Sequence, residues 1–364
     1  MPEPTQIDLA DDLLPRLRAL PRGAVVLVLG GTDHGKTTWV KAAALALAAG
    51  GLSVAVVDCD IGQSEIGPPG TIGAALAAAG TEFKSLRDLP PLGGYFVGAV
   101  SPIRQILTVC TGAVAMARVA KRAKPDLVLV DTDGMVTGGA ARAYKKKLAE
   151  LLLPQAIVAL TRGSELDPLL ALFSHLDAPE VWRVPVPPEA RRKTPATRTT
   201  RRAARFLAAL EGARAQTFSL DEVALTNTGF GVGEPTPHHL MRFLGETLGR
   251  PVLHAAQTGD GGLYVVVHGD GWHTAELASI EREFGTHSIT VVPAQRFARL
   301  LVGLVAASGA LLDIGLIERI DFAARTLTIQ TPCPRPRAVA QIWLGALRLH
   351  ADGREIGEVR PGEL

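Results

Sequence analysis

The chain has 364 residues, more than one hydrophobic core usually supports, so two domains are expected. With 47% hydrophobic and 20% charged residues, it falls outside the disordered and collagen-like classes. The net charge of +2 hides a split, +6 over residues 1–214 and −4 over residues 215–364. Any polyanionic ligand therefore belongs to the first part, although so modest an excess does not by itself imply nucleic acid.

The N-terminus, with Glu3, Asp8, Asp11 and Asp12, has no basic stretch leading into an apolar core, so no signal peptide is expected. Ala24–Leu29 reads as a buried strand, followed by a glycine loop and a helix from about Lys36 to Ala49 that ends at Gly50-Gly51. Further strands are predicted at Ser53–Asp58, Leu127–Asp131 and Ala156–Leu160, with helices through Ala113–Lys124 and Ala141–Leu152 between them. Short apolar runs separated by helices predict an α/β fold with a mostly parallel sheet covered on both faces. Residues 183–205 are rich in proline and arginine, with Glu189 as the only acid. From Gln216 the pattern changes to β-type runs at Leu263–His268, Ser288–Val292, Thr326–Gln330 and Ala340–Leu344, with Asp-Gly turns between and one helix near His238–Leu248. This predicts a first domain over 1–214 and a smaller β-rich domain over 215–364.

Cys59, Cys110 and Cys333 are too few and too widely spaced for a disulfide framework or a metal knuckle. The longest apolar run, Leu300 to Leu312, is shorter than the about 20 residues a bilayer demands. A soluble cytoplasmic protein without membrane contact is expected.

Gly30-Gly31-Thr32-Asp33-His34-Gly35-Lys36-Thr37 matches G-x-x-x-x-G-K-[ST], between a predicted strand and a predicted helix. The glycines let backbone N–H groups wrap a phosphate, and the helix N-terminus favours negative charge. Lys36 suits the β- and γ-phosphates of ATP or another nucleoside triphosphate, Thr37 suits Mg²⁺, and Thr38 continues the loop. His34 belongs to this nucleotide-binding loop, at a position whose side chain is expected to face outward.

The second strand runs into Asp58-Cys59-Asp60-Ile61-Gly62-Gln63. Alternation puts Asp58 and Asp60 on one side of the chain and turns Cys59 away. Two carboxylates beside Mg²⁺ and a γ-phosphate suit one metal role and one base role. The alternative is a single metal-associated Asp followed by a turn-forming one, and Asp131 competes for the metal's outer shell. Arg198, Arg201, Arg202 and Arg205, at three- and four-residue spacing, share one side if their segment is helical. Lys145-Lys146-Lys147 reads as a solvated helix face, and His238, His239 and His273 as structural or surface residues. Aromatic content of 5% argues against an extended base-stacking platform.

Taken together, these residues resemble the polynucleotide 5′-hydroxyl kinases, a family that includes the RNA kinase subunit of eukaryotic mRNA 3′-end cleavage factor, the ribosomal-RNA-processing kinases and stand-alone archaeal and bacterial members. The resemblance rests on the P-loop and on the D-x-D-x-G-Q block continuing from Ser64 through Pro68-Pro69-Gly70-Thr71. It rests also on Phe96-Val97-Gly98 with Ser101-Pro102, on Thr132-Asp133-Gly134-Met135 in place of a T-x-G-W clasp, and on an arginine lid at about 189–205. It implies the stand-alone form, transferring the ATP γ-phosphoryl to the 5′-OH of RNA or DNA. Asp60 would be the base, with Lys36 and lid arginines such as Arg198 and Arg202 as catalytic cations. Thr37, Asp58 and Asp60 would surround Mg²⁺, and Gln63, Thr71, Thr132, Gly134 and Met135 would meet the acceptor. The alternatives are a small-molecule kinase, another P-loop NTPase, or a nucleotide-binding scaffold without transfer activity. Oligomeric state is unreadable from the sequence.

Overall fold

The computed structural model describes residues 13–187, 190, 193–270, 274–360 and 363–364. Outside these lie Glu3, Asp8, Asp11 and Asp12, the lid positions Glu189, Arg191 and Arg192, and Trp272 and His273. The chain divides into two compact units, the first ending at Phe206 and the second beginning at Leu207.

The first unit contains, in order, α1 (Leu13–Ala19), β1 (Ala24–Gly30), α2 (Lys36–Ala49), β2 (Val54–Cys59), β3 (Thr71–Ala77), β4 (Pro91–Phe96), α3 (Ile106–Arg122) and β5 (Leu127–Thr132). It continues with α4 (Gly139–Leu152), β6 (Ala156–Thr161), the short α5 (Asp167–Leu170), β7 (Glu180–Pro185) and α6 (Pro195–Ala209), whose last residues pass the division. One seven-stranded sheet has the order β4-β3-β2-β5-β1-β6-β7. Its β2-β5-β1-β6-β7 part is parallel, and β3 runs antiparallel to both neighbours. Strands β1, β2 and β5 are buried over their full length, as unbroken Val/Leu runs demand when helices cover both faces. Trp39, Val40 and Leu47 of α2 pack with Val26, Val28, Val54, Val56 and Leu129 in one core. That packing holds the α2 N-terminus at the C-terminal edge of the parallel strands, where ligands of open α/β sheets bind.

The sequence pattern does not reveal β3 and β4. Their residues, Thr-Ile-Gly-Ala-Ala-Leu-Ala and Pro-Leu-Gly-Gly-Tyr-Phe, are poor in the β-branched types that mark strands. Gly73 shows why a small residue is needed, because a Cβ there would collide with the Ile66 carbonyl oxygen.

In the second unit come β8 (Arg214–Ser219), β9 (Ala224–Thr226), β10 (Glu234–Pro235), α7 (His238–Leu248), β11 (Val252–Gln257), β12 (Leu263–Val267), α8 (Thr274–Phe284) and β13 (Ile289–Pro293). Five strands follow, β14 (Leu300–Ala306), β15 (Leu311–Asp321), β16 (Thr326–Thr331), β17 (Val339–Leu349) and β18 (Glu355–Glu358). They form two sheets, β10-β11-β12-β13 and β18-β17-β14-β15-β16-β8, the latter joined by β9 along β17. Phe230, Phe297, Val302, Leu304 and Ile329 fill one core, and Leu244, Leu248, Val265 and Ile280 another. The three cysteines are free and buried. No helix among the described residues is long and apolar enough to cross a membrane.

Replacing Gly73 with alanine drives a methyl group into a backbone carbonyl that cannot yield. The expected loss is about 1–3 kcal/mol, seen as a lower denaturant midpoint. Gly139→Ala, in open space at the start of α4, is expected to be neutral or to stabilise by up to about 1 kcal/mol.

Candidate active site

The loop between β1 and α2 is shaped by two left-handed residues, Asp33 at φ 60° and Gly35 at φ 82°. No side chain caps α2, so its first N–H groups face the cavity for an anion to satisfy. Lys36 is buried, and its ammonium donates to the Gly31 carbonyl at 2.9 Å. Burial lowers its pKa, and the nearby Asp131 and Asp60 carboxylates oppose that shift. His34 does not face outward as expected. Only 5% exposed, its ring lies under Gly31, with Nδ1 at 3.0 Å from both the Gly31 nitrogen and the Leu160 carbonyl oxygen. Gly30 and Gly31 are bare for this reason, since a Cβ would press on Leu160 and Lys36 at the first and on the His34 ring at the second. His34 supports the loop and is not placed to touch a second substrate.

Register places Asp58 of β2 beside Asp131 of β5. Thr37 Oγ1 donates to Asp131 Oδ2 at 2.5 Å, while Asp131 Oδ1 is buried with no partner among the described residues. Asp58 makes different bonds. It accepts from the backbone N–H groups of Asp60, Glu65 and Ile66 and from the Ser64 hydroxyl, and so folds the 60–66 loop onto the sheet. Asp58, expected with Thr37 and Asp60 around Mg²⁺, is bonded within its own segment, and the carboxylate bonded to Thr37 is Asp131. Burial, reinforced by Asp131 and Asp60, pushes the Asp58 carboxyl up to about 8. Burial likewise raises Asp131 to about 6, against the pull of Lys36 and the Thr37 hydroxyl.

Asp60 lies just beyond the strand, at the cavity wall. Its Oδ1 accepts from the N–H groups of Gly62 and Gln63 at 3.1 and 3.0 Å. Its Oδ2 accepts no hydrogen bond among the described residues, so it is the atom available to a hydroxyl. Burial raises this carboxyl above the ordinary range, Lys36 opposes the shift and Asp133 adds to it. Three carboxylates against one buried lysine leave an excess of negative charge, and the orphaned Asp131 Oδ1 beside Thr37 fits a hydrated divalent cation. No three His, Cys, Asp or Glu side chains among the described residues are arranged to hold a metal ion together, and Mg²⁺ held mainly by a hydroxyl, waters and phosphate oxygens does not require that.

These groups open onto a cavity of about 710 Å³. Its lining combines Thr32, Asp33, Gly35, Lys36, Thr37 and Thr38 of the P-loop and α2 with Asp60, Gln63, Ser101, Gly134 and Met135. Two residues expected to meet the acceptor do not reach it. Thr71 is buried at the start of β3 with its hydroxyl on the Pro68 carbonyl, and Thr132 is buried with its hydroxyl on the Val28 carbonyl. Both hold backbone together. Gln63 is well placed, since its Nε2 is buried without a partner among the described residues.

The 133–135 turn rests on a node that sequence reasoning missed. Asp133 accepts from Lys145 at 2.8 Å, from the Tyr144 hydroxyl at 2.7 Å and from the Met135 N–H at 2.8 Å. Burial alone would raise this carboxyl, but Lys145 and the other donors hold it below its usual range. Lys145 is fully buried, so the solvated-face reading holds for Lys146 and Lys147, which pair with Glu150, and fails for Lys145. The helical period carried the signal, because Ala141, Lys145, Leu148 and Leu152 fall on the inward side of α4. Beyond the node, a Cβ on Gly134 would lie 2.6 Å from the Thr32 backbone, so this turn and the P-loop touch directly.

Helix α6 brings Arg198, Arg201 and Arg202 to the cavity. Arg198 pairs with Asp33 of the P-loop at 3.0 Å, and the Lys193 N–H donates to the same carboxylate. Arg202 and Asp60 both border Gly62, at 3.9 and 3.6 Å from where its Cβ would stand.

Residues 30–212 match the family model described as the P-loop of mRNA cleavage and polyadenylation factor CLP1. A polyribonucleotide 5′-hydroxyl-kinase of Pyrococcus furiosus is 31% identical over 342 residues, covering 94% of this chain and 92% of that one. A kinase of the same name from Thermococcus kodakarensis is 30% identical, covering 97% of this chain and 95% of its own. Among solved structures, the wild-type Clp1p–Pcf11p complex is similar with a TM-score of 0.59 at 12% identity, over 92% of this chain and 77% of that one. That last likeness is one of fold.

Removing Lys145 strands Asp133 in the interior. Lys145→Met is expected to cost about 3–5 kcal/mol in denaturant unfolding, and the double variant Lys145→Met/Asp133→Asn to recover much of it. Lys147→Met, at the exposed pair, is expected to leave the midpoint unmoved.

Proposed function

The chain belongs to the CLP1 P-loop family of polynucleotide 5′-hydroxyl kinases, and from that premise we propose that it transfers the γ-phosphoryl group of ATP to the 5′-OH end of RNA. The observation that carries this reading is the placement of Asp60, a half-buried carboxylate with one oxygen open, in one cavity with Lys36 and Thr37. RNA is the acceptor favoured over DNA because the relatives above are named for polyribonucleotides. A 5′-phosphorylated end is what an end-joining reaction consumes, so the activity fits a cytoplasmic step of RNA processing or repair.

In this mechanism the loop N–H groups and Lys36 hold the β- and γ-phosphates. Asp60 Oδ2 accepts the proton of the 5′-hydroxyl as its oxygen bonds to the γ-phosphorus and the bond to the bridging oxygen of ADP breaks. Gln63 orients the first phosphate of the acceptor, and Gly134 with Met135 forms the wall against which its terminal nucleoside packs. Thr37 and Asp131 would hold Mg²⁺, and what the ion supplies when bound is neutralisation of charge on the β- and γ-phosphate oxygens. Arg202, beside Asp60, stabilises charge spreading over the transferred group, and Arg198 fastens the lid to the P-loop through Asp33.

Labelled ATP with a 5′-OH oligoribonucleotide tests the reading directly. Transfer should be detected and should exceed transfer to the matching DNA. Asp60→Asn is expected to lower kcat by roughly 10²–10⁴-fold while ATP still binds. The parent's kcat/KM should rise with pH across a limb above the ordinary carboxylate range, because the base works only when deprotonated and its pKa is raised. In Asp60→Asn that limb should vanish. An unaltered limb in the variant would transfer the base role to another group.

A further inference from the structure

A second cavity, of about 540 Å³, adjoins the one described and shares with it Thr37-Thr38, Gly62-Gln63 and three cations, Lys193, Arg201 and Arg202. Its own walls come from α2, from the 84–87 loop between β3 and β4, and from the far end of the lid helix. Among the described residues, seven cationic side chains line it against one carboxylate, Glu65, and four of them, Lys41, Lys84, Arg87 and Arg205, belong to this cavity alone. That carboxylate is already engaged, by Arg87 at 2.8 Å and Arg205 at 3.6 Å. A concave surface with so large an excess of positive charge calls for a polyanion, and neither the P-loop chemistry nor the Asp60 base uses it. The two cavities meet at Gln63, whose Nε2 is buried there with no partner among the described residues.

Resting on the kinase reading, we propose that this second cavity is a phosphodiester-binding site for the acceptor strand beyond its first internucleotide linkage, with Lys41, Lys84 and Arg87 as its outer cations. A strand whose 5′-OH is at Asp60 passes Gln63 and enters the cavity, where cations meet non-bridging phosphate oxygens rather than bases. Recognition is then of the backbone, salt-dependent and tolerant of sequence. The site makes the enzyme discriminate by acceptor length. A nucleoside 3′-monophosphate satisfies Gln63 alone, whereas a tetramer or hexamer reaches the outer cations.

The test compares parent and Lys41→Ser/Lys84→Ser protein in two readouts. One is the ratio of kcat/KM for a 5′-OH hexaribonucleotide to that for a nucleoside 3′-monophosphate. The other is equilibrium binding of a 3′-fluorescent hexamer by anisotropy, which needs no turnover. The variant should lose about tenfold in both the ratio and the hexamer affinity. Its slope of log affinity against log salt should shrink by about 0.7 for each phosphate that is no longer neutralised. An unchanged ratio and affinity would overturn the proposal, as would a rise confined to the KM for ATP, which would give the cavity to the donor. If the parent phosphorylates no acceptor, the kinase reading fails, and the binding comparison still decides whether the cavity holds a strand.

Discussion

Buried negative charge at the C-terminal edge of β2 and β5 is the constraint around which the first unit is built. Asp58, Asp60 and Asp131 are drawn together by strand register and by the turn after β2, and Lys36 is the buried cation whose charge acts on Asp60 and Asp131. Such a group is costly to bury unless each charge is paired, hydrogen-bonded or partly protonated. The chain meets this in three ways. Asp58 is wrapped in backbone N–H groups, Asp131 takes the Thr37 hydroxyl, and the carboxyl pKa values rise. Among the described residues this leaves one orphaned oxygen on Asp131 and one open oxygen on Asp60, the atoms that the proposed mechanism gives to a cation and to a hydroxyl.

The loops around this charge are linked to one another rather than placed separately. Asp33, in the P-loop, receives Arg198 and the Lys193 N–H from the lid. Gly134, in the turn after β5, lies against Thr32 of the same loop, and Asp133 anchors that turn to α4 through Lys145 and Tyr144. A displacement of the P-loop therefore reaches the acceptor wall and the lid together. Catalysis of phosphoryl transfer depends on alignment more than on covalent chemistry, so a site tied in this way loses little on reorganisation.

The parallel sheet and the donor loop were legible because their signals are local. Unbroken Val/Leu runs mark buried strands, and the P-loop spacing is set by the phosphate it wraps. Helix α7 and the short β-runs of the second unit were legible for the same reason. The β3–β4 extension was not, since its glycine and alanine content answers to a close approach by Ile66 that is invisible in sequence. Alternation could not fix how Asp58 and Asp60 are oriented to one another, because Asp60 is past the strand end, where period two no longer applies. Asp131 entered as a competitor and proved to be the partner of Thr37. Thr71 and Thr132 belong to recognisable motifs, yet their hydroxyls hold backbone. Lys145 was hidden in a run of three lysines whose other two members do face solvent.

Met135 in place of the clasp tryptophan bears on how the acceptor is held. The turn itself does not depend on that side chain, because Asp133 fixes it through main-chain and buried partners, and Gly134 sets its distance from the P-loop. In the proposed kinase reading, methionine in place of tryptophan alters packing on the terminal base and leaves the turn's position intact. Aromatic stacking on a base contributes about 1–3 kcal/mol, and a thioether packs on a base face more weakly. Affinity given up at the terminal base has to come from elsewhere on the strand, and cations beyond Gln63 act on phosphates that every sequence carries. A site that exchanges base stacking for backbone charge keeps its hold on a strand end while reading little of its sequence.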